Sequence, residues 1–123
     1  KGGCKIINMS SDSGVAPVPQ RAAAYCSSKS ALIGLTRCIA KDLGRYAIYC
    51  NAICPGGIEN TGMLEHYHKA FDGKDRDDAE LAALKRLGKP EDVANVAVFL
   101  ASHLSDHITG EHVLVTGGDI MTQ

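Results

Sequence analysis

In SSDSGVAPVPQRAAAYCSSK, residues 10–29, Tyr25 stands four positions before Lys29 and just after a serine-rich segment. On a helix that spacing is about 400° of rotation, so a phenol and an ammonium share one side. A free phenol titrates at about 10, too high for a base at neutral pH. An ammonium nearby and the positive end of a helix both favour the phenolate. A phenol tuned in that way can take a proton from an alcohol or give one to a carbonyl oxygen. A serine hydroxyl within reach can hold that oxygen. The same spacing also arises as an incidental polar pair at a helix start. The surrounding elements decide between the two.

CKIINM, residues 4–9, is short and apolar on both pleat faces, as in a strand buried on both sides. A loop follows, broken by Gly14, Pro17 and Pro19. From Ala23 to Tyr46 the pattern predicts a helix, with Leu32, Thr36, Ile39 and Leu43 continuing the Tyr25–Lys29 side and Gly44 near its end. IYCNAIC, residues 48–54, is a second buried strand, closed by Pro55-Gly56-Gly57. Residues 58–89 are polar and mixed, with short helices expected around 63–71 and 77–86. Pro90 opens a helix with Glu91 and Asp92 at its positive end, and Val93, Val96, Ala97 and Leu100 form its apolar stripe. HVLVT, residues 112–116, is a last strand, followed by Gly117-Gly118. This order predicts right-handed crossovers and a parallel sheet covered on both faces, an α/β fold of about three strands. Ser10 and Ser11 then lie at a strand's carboxyl end and Tyr25 at a helix start, in the crevice where such sheets bind ligands.

The 123 residues, 45% hydrophobic, suit one domain with a core. Thirteen basic and fourteen acidic residues give a net charge of −1, which argues against a nucleic-acid face or a polybasic membrane patch. No apolar run is long enough to span a bilayer, and KGGCKIINMS does not read as an export signal. Five cysteines, Cys4, Cys26, Cys38, Cys50 and Cys54, form no CxxC and sit mostly in apolar runs. Free thiols in a reducing, cytoplasmic setting are expected. No metal site is expected: His66 and His68, two apart on a helix, point about 200° from each other. DGKDRDDAE, residues 72–80, reads as a solvated loop rather than a cation site. A Ser-x-x-Lys hydrolase motif fails because position 26 is Cys26.

GGCKIINMSS, YCSSK, NAICPGGIENT, GKPEDVANVAVFLAS and ITGEHVLVTGG, in that order, resemble the short-chain dehydrogenase/reductase family along essentially the whole chain. The resemblance implies the carboxyl-terminal half of a Rossmann-type, doubly wound subunit: a catalytic helix over 23–46, a variable substrate segment over 58–89, and a final helix and strand over 90–118. It implies Tyr25 as acid/base and Lys29 as its partner, both also at the cofactor. Ser11 is implied at the substrate oxygen, with Ser10 and Ser13 as alternatives. Pro55, Gly56 and Ile58 would lie against the nicotinamide, and Thr61, or Asn60, would hold its carboxamide or a phosphate. NAD or NADP is the implied cofactor, a small alcohol or ketone the substrate, and a homo-oligomer, dimer or tetramer, the assembly. The family's glycine-rich turn, its NNAG segment and a catalytic asparagine belong upstream of a strand like CKIINMS. A second reading is a truncated, non-catalytic remnant acting only through oligomerisation.

Overall fold

A computed structural model of the chain describes residues 3–16, 22–70 and 78–122, with side chains in 67–70 excepted. Three strands, β1 (Cys4–Met9), β2 (Ile48–Pro55) and β3 (His112–Val115), form one parallel sheet in the order β1-β2-β3. Cys4 faces Ile48 and Met9 faces Ile53 in the first pair, and Ala52 faces His112 in the second. Helix α1 (Ala23–Leu43) joins β1 to β2, whereas α2 (Gly62–Ala70), α3 (Asp78–Leu81) and α4 (Pro90–Ala101) lie between β2 and β3.

The pleat assigns the two faces. Asn8 Nδ2 donates to Thr36 Oγ1 of α1 at 2.9 Å and reaches Cys50 Sγ at 3.6 Å, so the even-numbered positions of β1 and β2 look toward α1. Lys5, on the opposite face, pairs with Asp106 at 2.8 Å and lies 3.9 Å over the Tyr49 ring, beneath the turn that follows α4. With helices on both sides, the central strand is enclosed: Cys50, Ala52, Ile53 and Cys54 are 0% exposed. That is the doubly covered parallel arrangement expected from unbroken apolar strands.

Helix α1 turns Ile33, Thr36 and Ala40 fully inward, with Leu32, Ile39 and Leu43 beside them. Thr36 carries its hydroxyl into the core without penalty, since Oγ1 donates to Leu32 O at 2.8 Å and accepts from Asn8. The α-helix stops at Leu43 rather than at Tyr46, and Gly44–Tyr46 form a 3₁₀ turn. Gly44 stays right-handed at φ −55°; the left-handed residue is Ala47, at φ 55°. The helix expected over 77–86 shrinks to the single turn α3. Ala82 is buried, Lys85 takes φ 53°, and Leu84 N–H donates to Gly117 O at 3.0 Å, so the chain doubles back against the glycine pair after β3. α4 behaves as its stripe requires, with Leu100 buried and Val98 and Phe99 turned outward.

Candidate active site

The carboxyl end of β1 is a buried run of small polar residues, Ser10 to Ser13. Ser10 N–H extends the ladder to Ile53 O at 2.8 Å, and its hydroxyl donates to the Lys29 carbonyl at 2.8 Å. Ser11 is extended and caps a 3₁₀ turn over Asp12–Gly14. Its hydroxyl donates to Asp12 Oδ1 at 2.9 Å and accepts from the Ser13 N–H at 3.2 Å. Asp12 Oδ1 also receives the Ser13 N–H and hydroxyl, the latter at 3.1 Å. The turn lies hard against α1: a Cβ on Gly14 would sit 2.7 Å from the Lys29 carbonyl carbon, and Ser30 Oγ donates to Gly14 O at 2.8 Å. Glycine is required there by space, not by its φ.

Tyr25 and Lys29 occupy the first two turns of α1, both half-buried. Lys29 Nζ donates to Met9 O at 3.0 Å and lies 5.6 Å from the Tyr25 ring centre. The Tyr25 hydroxyl is 3.9 Å from Met63 Sδ, in the first turn of α2. The segment after β2 therefore stands over the phenol. Beneath Ser10 and Ser11, burial pushes the Cys54 thiol pKa up, against smaller hydrogen-bond contributions from both serines.

The glycine-proline segment sits one strand across. Gly56 N–H continues the β2–β3 ladder to Val115 O at 3.1 Å, and a Cβ on it would approach Thr116 Cα to 3.3 Å. Ile58 bridges to Gly88, whose missing side chain leaves room for Ile58 Cδ1. Thr61 caps α2: its hydroxyl donates to Ile58 O at 3.0 Å and accepts from Leu64 N–H at 3.4 Å, while Asn60 before it is left-handed at φ 57°. Ser11, Tyr25, Lys29, Pro55 and Gly56 thus collect at the carboxyl edge of the sheet, where Ser10 and Gly56 extend neighbouring ladders. Ile58 and Thr61 lie farther along, at the root of α2. Ser11 hydrogen-bonds within its own turn rather than to Tyr25.

Two neighbours of this group were not singled out by spacing. Asp12 is 8% exposed and touches Ser11; the Ser-Asp-Ser-Gly composition, typical of side-chain-capped turns, is its only sequence signal. Met63 lies in the substrate segment implied over 58–89, with nothing in the sequence to announce its approach to Tyr25. A cavity of about 490 Å³ lies elsewhere, beyond β3, lined by Leu84, Arg86, Leu114, Thr116 and Gly118, with none of Ser11, Tyr25 or Lys29 in its wall. Among the described residues no group of His, Cys, Asp and Glu is placed to hold a metal, and no helix is long and apolar enough to cross a membrane. His68 and the segment 72–77 fall outside the described side chains. All five cysteines are free thiols.

A family model described as enoyl-(acyl carrier protein) reductase matches residues 1–119. The human (3R)-3-hydroxyacyl-CoA dehydrogenase is 43% identical over 122 residues, covering 97% of this chain and 44% of that protein. A 3-oxoacyl-[acyl-carrier protein] reductase with bound NAD from Brucella melitensis superposes with a TM-score of 0.80 at 36% identity, over 96% of this chain and 41% of that one. The ligand-free aldohexose dehydrogenase of Thermoplasma acidophilum superposes at 0.86 with 32% identity, over all of this chain and 52% of that one. The chain spans about half the length of the relatives it matches.

Proposed function

The chain belongs to the short-chain dehydrogenase/reductase family, and from that premise we propose that the subunit carrying it interconverts a secondary alcohol and a ketone with NAD or NADP. In this reading Tyr25 takes the alcohol's hydroxyl proton in one direction and returns it in the other. Lys29 places a positive charge beside the phenol and directs N–H groups to the ribose. The donor set suits that task, since an ammonium has three N–H groups and Met9 O receives one of them. Ser11 stands at the reacting oxygen. Pro55, Gly56 and Ile58 lie against the nicotinamide, and Thr61 at its carboxamide or a phosphate. The nucleotide supplies the hydride chemistry itself.

The observation that carries the reading is the convergence of Tyr25, Lys29 and the Ser10–Ser13 turn at one strand end, with α1 fixed there by Ser10, Gly14 and Ser30. As substrate we propose 3-hydroxyacyl thioesters and their 3-oxo partners. The activities for which the human and Brucella relatives are named support this class, as does Met63 standing over Tyr25. The free thiols support a reducing, cytoplasmic setting. A homo-oligomer, dimer or tetramer, completes the proposal on the strength of the family.

Tyr25→Phe in the intact subunit is the test. It should lower turnover of 3-hydroxybutyryl-CoA by several orders of magnitude and leave nucleotide affinity nearly unchanged. Retention of more than about a tenth of the activity would remove Tyr25 from the acid/base role.

A further inference from the structure

Asp12 is a carboxylate more than nine-tenths buried beside the serine of the proposed site, with three donor groups aimed at one of its oxygens. The Ser11 hydroxyl is one of them, at 2.9 Å. A hydroxyl has a single proton. When that proton points at a carboxylate the bond is charge-assisted, and what Ser11 turns outward is acceptor capacity. One lone pair already receives the Ser13 N–H at 3.2 Å, which leaves a further lone pair to accept.

Alcohol and ketone respond differently to such a group. With Tyr25 in its phenol form, an alcohol can donate its one O–H to Ser11 while the Ser11–Asp12 bond stays intact, and it turns that O–H to Tyr25 only in the reacting complex. A ketone has only lone pairs, so it must draw the serine proton off the carboxylate or face Ser11 acceptor to acceptor. The first exchanges a charge-assisted hydrogen bond for a neutral one, and the second leaves a buried acceptor opposed. We propose that Asp12 is a positioning residue that holds the Ser11 proton, so that the site binds the alcohol in preference to the ketone. The inference rests on Ser11 standing at the substrate oxygen.

Two complexes that cannot react isolate the effect in the intact subunit: 3-hydroxybutyryl-CoA with reduced nucleotide, and acetoacetyl-CoA with oxidised nucleotide. The wild type should bind the alcohol complex the more tightly. Asp12→Ala should shift the alcohol-to-ketone affinity ratio toward the ketone by about tenfold, mostly through tighter ketone binding. Asp12→Asn, which keeps the turn's shape with a weaker acceptor, should shift it part of the way and serves if the alanine variant does not fold. Ser13→Ala removes a donor that competes for the same Asp12 oxygen, so it should not move the ratio toward the ketone. A ratio unmoved by either Asp12 variant, in a subunit that Ser11→Ala inactivates, overturns the inference and spares the site. Full turnover in Ser11→Ala overturns the reading of the site beneath it.

Discussion

Lys29 reaches the site from two directions. Its carbonyl is held by Ser10 at 2.8 Å and its ammonium by Met9 O at 3.0 Å, so the strand end grips both ends of the residue. Lys29→Ala in the intact subunit should lower nucleotide affinity and turnover together, since the proposed ribose contact and the charge near the phenol are lost at once. A fall in only one of the two would refute the double role. Gly14→Ala makes a purely steric demand. With 2.7 Å available at the Lys29 carbonyl carbon, the turn must lift from α1, and turnover should fall although the variant removes no polar group. The Tyr25–Lys29 pair was legible because helical rotation alone puts positions four apart on one side. Asp12 was not, because its part depends on which of several adjacent hydroxyls turns toward it, and sequence does not record rotamers. The same limit hides Asn8, whose amide reaches across the interface to Thr36.

At the level of elements, the strands and the start of α4 followed from patterning, while the far end of α1 and the extent of α3 did not. Helix α1 was expected to run through Tyr46 with Gly44 as its stop, yet the left-handed position falls on Ala47, where the chain enters β2. An alanine held there costs about 1–2 kcal/mol relative to a right-handed one. Ala47→Gly should therefore raise stability by about 0.5–1 kcal/mol after the greater freedom of glycine in the unfolded chain is allowed for, read from chemical denaturation. The shortening of α3 has a different origin, for its sequence competes with a tertiary contact to Gly117 that no local pattern contains. The start of α4 was legible in its Pro-Glu-Asp. Asp92 accepts from Arg86 Nη1 at 2.8 Å and from the Lys89 N–H at 2.9 Å, and the Arg86 guanidinium, ahead of that amide, holds the carboxyl below its ordinary value. A carboxyl lowered on folding adds stability above its unfolded value of about 3.9, and the gain disappears as pH falls through the folded value. Asp92→Asn should be less stable than the wild type at neutral pH, and the gap should close on acidification below about 4.

For the molecule as a whole, the cover is uneven. β2 is enclosed on both faces and both edges, whereas β1 has a strand on one side only among the described residues, and its two end residues are exposed. No GxGxxG turn opening a helix occurs in these 123 residues, and a dinucleotide is anchored chiefly through its pyrophosphate at such a turn. The chain by itself should bind NADH and NADPH poorly; saturable micromolar binding in a fluorescence titration would contradict this. The intact subunit should sediment as a dimer or tetramer, and a monomer would refute the proposed assembly. The one-sided pairing of β1 also sets a pattern in time. Cys4 and Ser10 N–H groups donate across to Ala47 and Ile53, so by the alternation of a parallel ladder the amides of Lys5, Ile7 and Met9 point the other way. In deuterated water those three should exchange quickly in the isolated chain, while the even-numbered amides between them stay protected. If a further strand docks along that side in the intact subunit, the alternation disappears, and the exchange of Ile7 alone becomes a clock that reports whether the sheet continues.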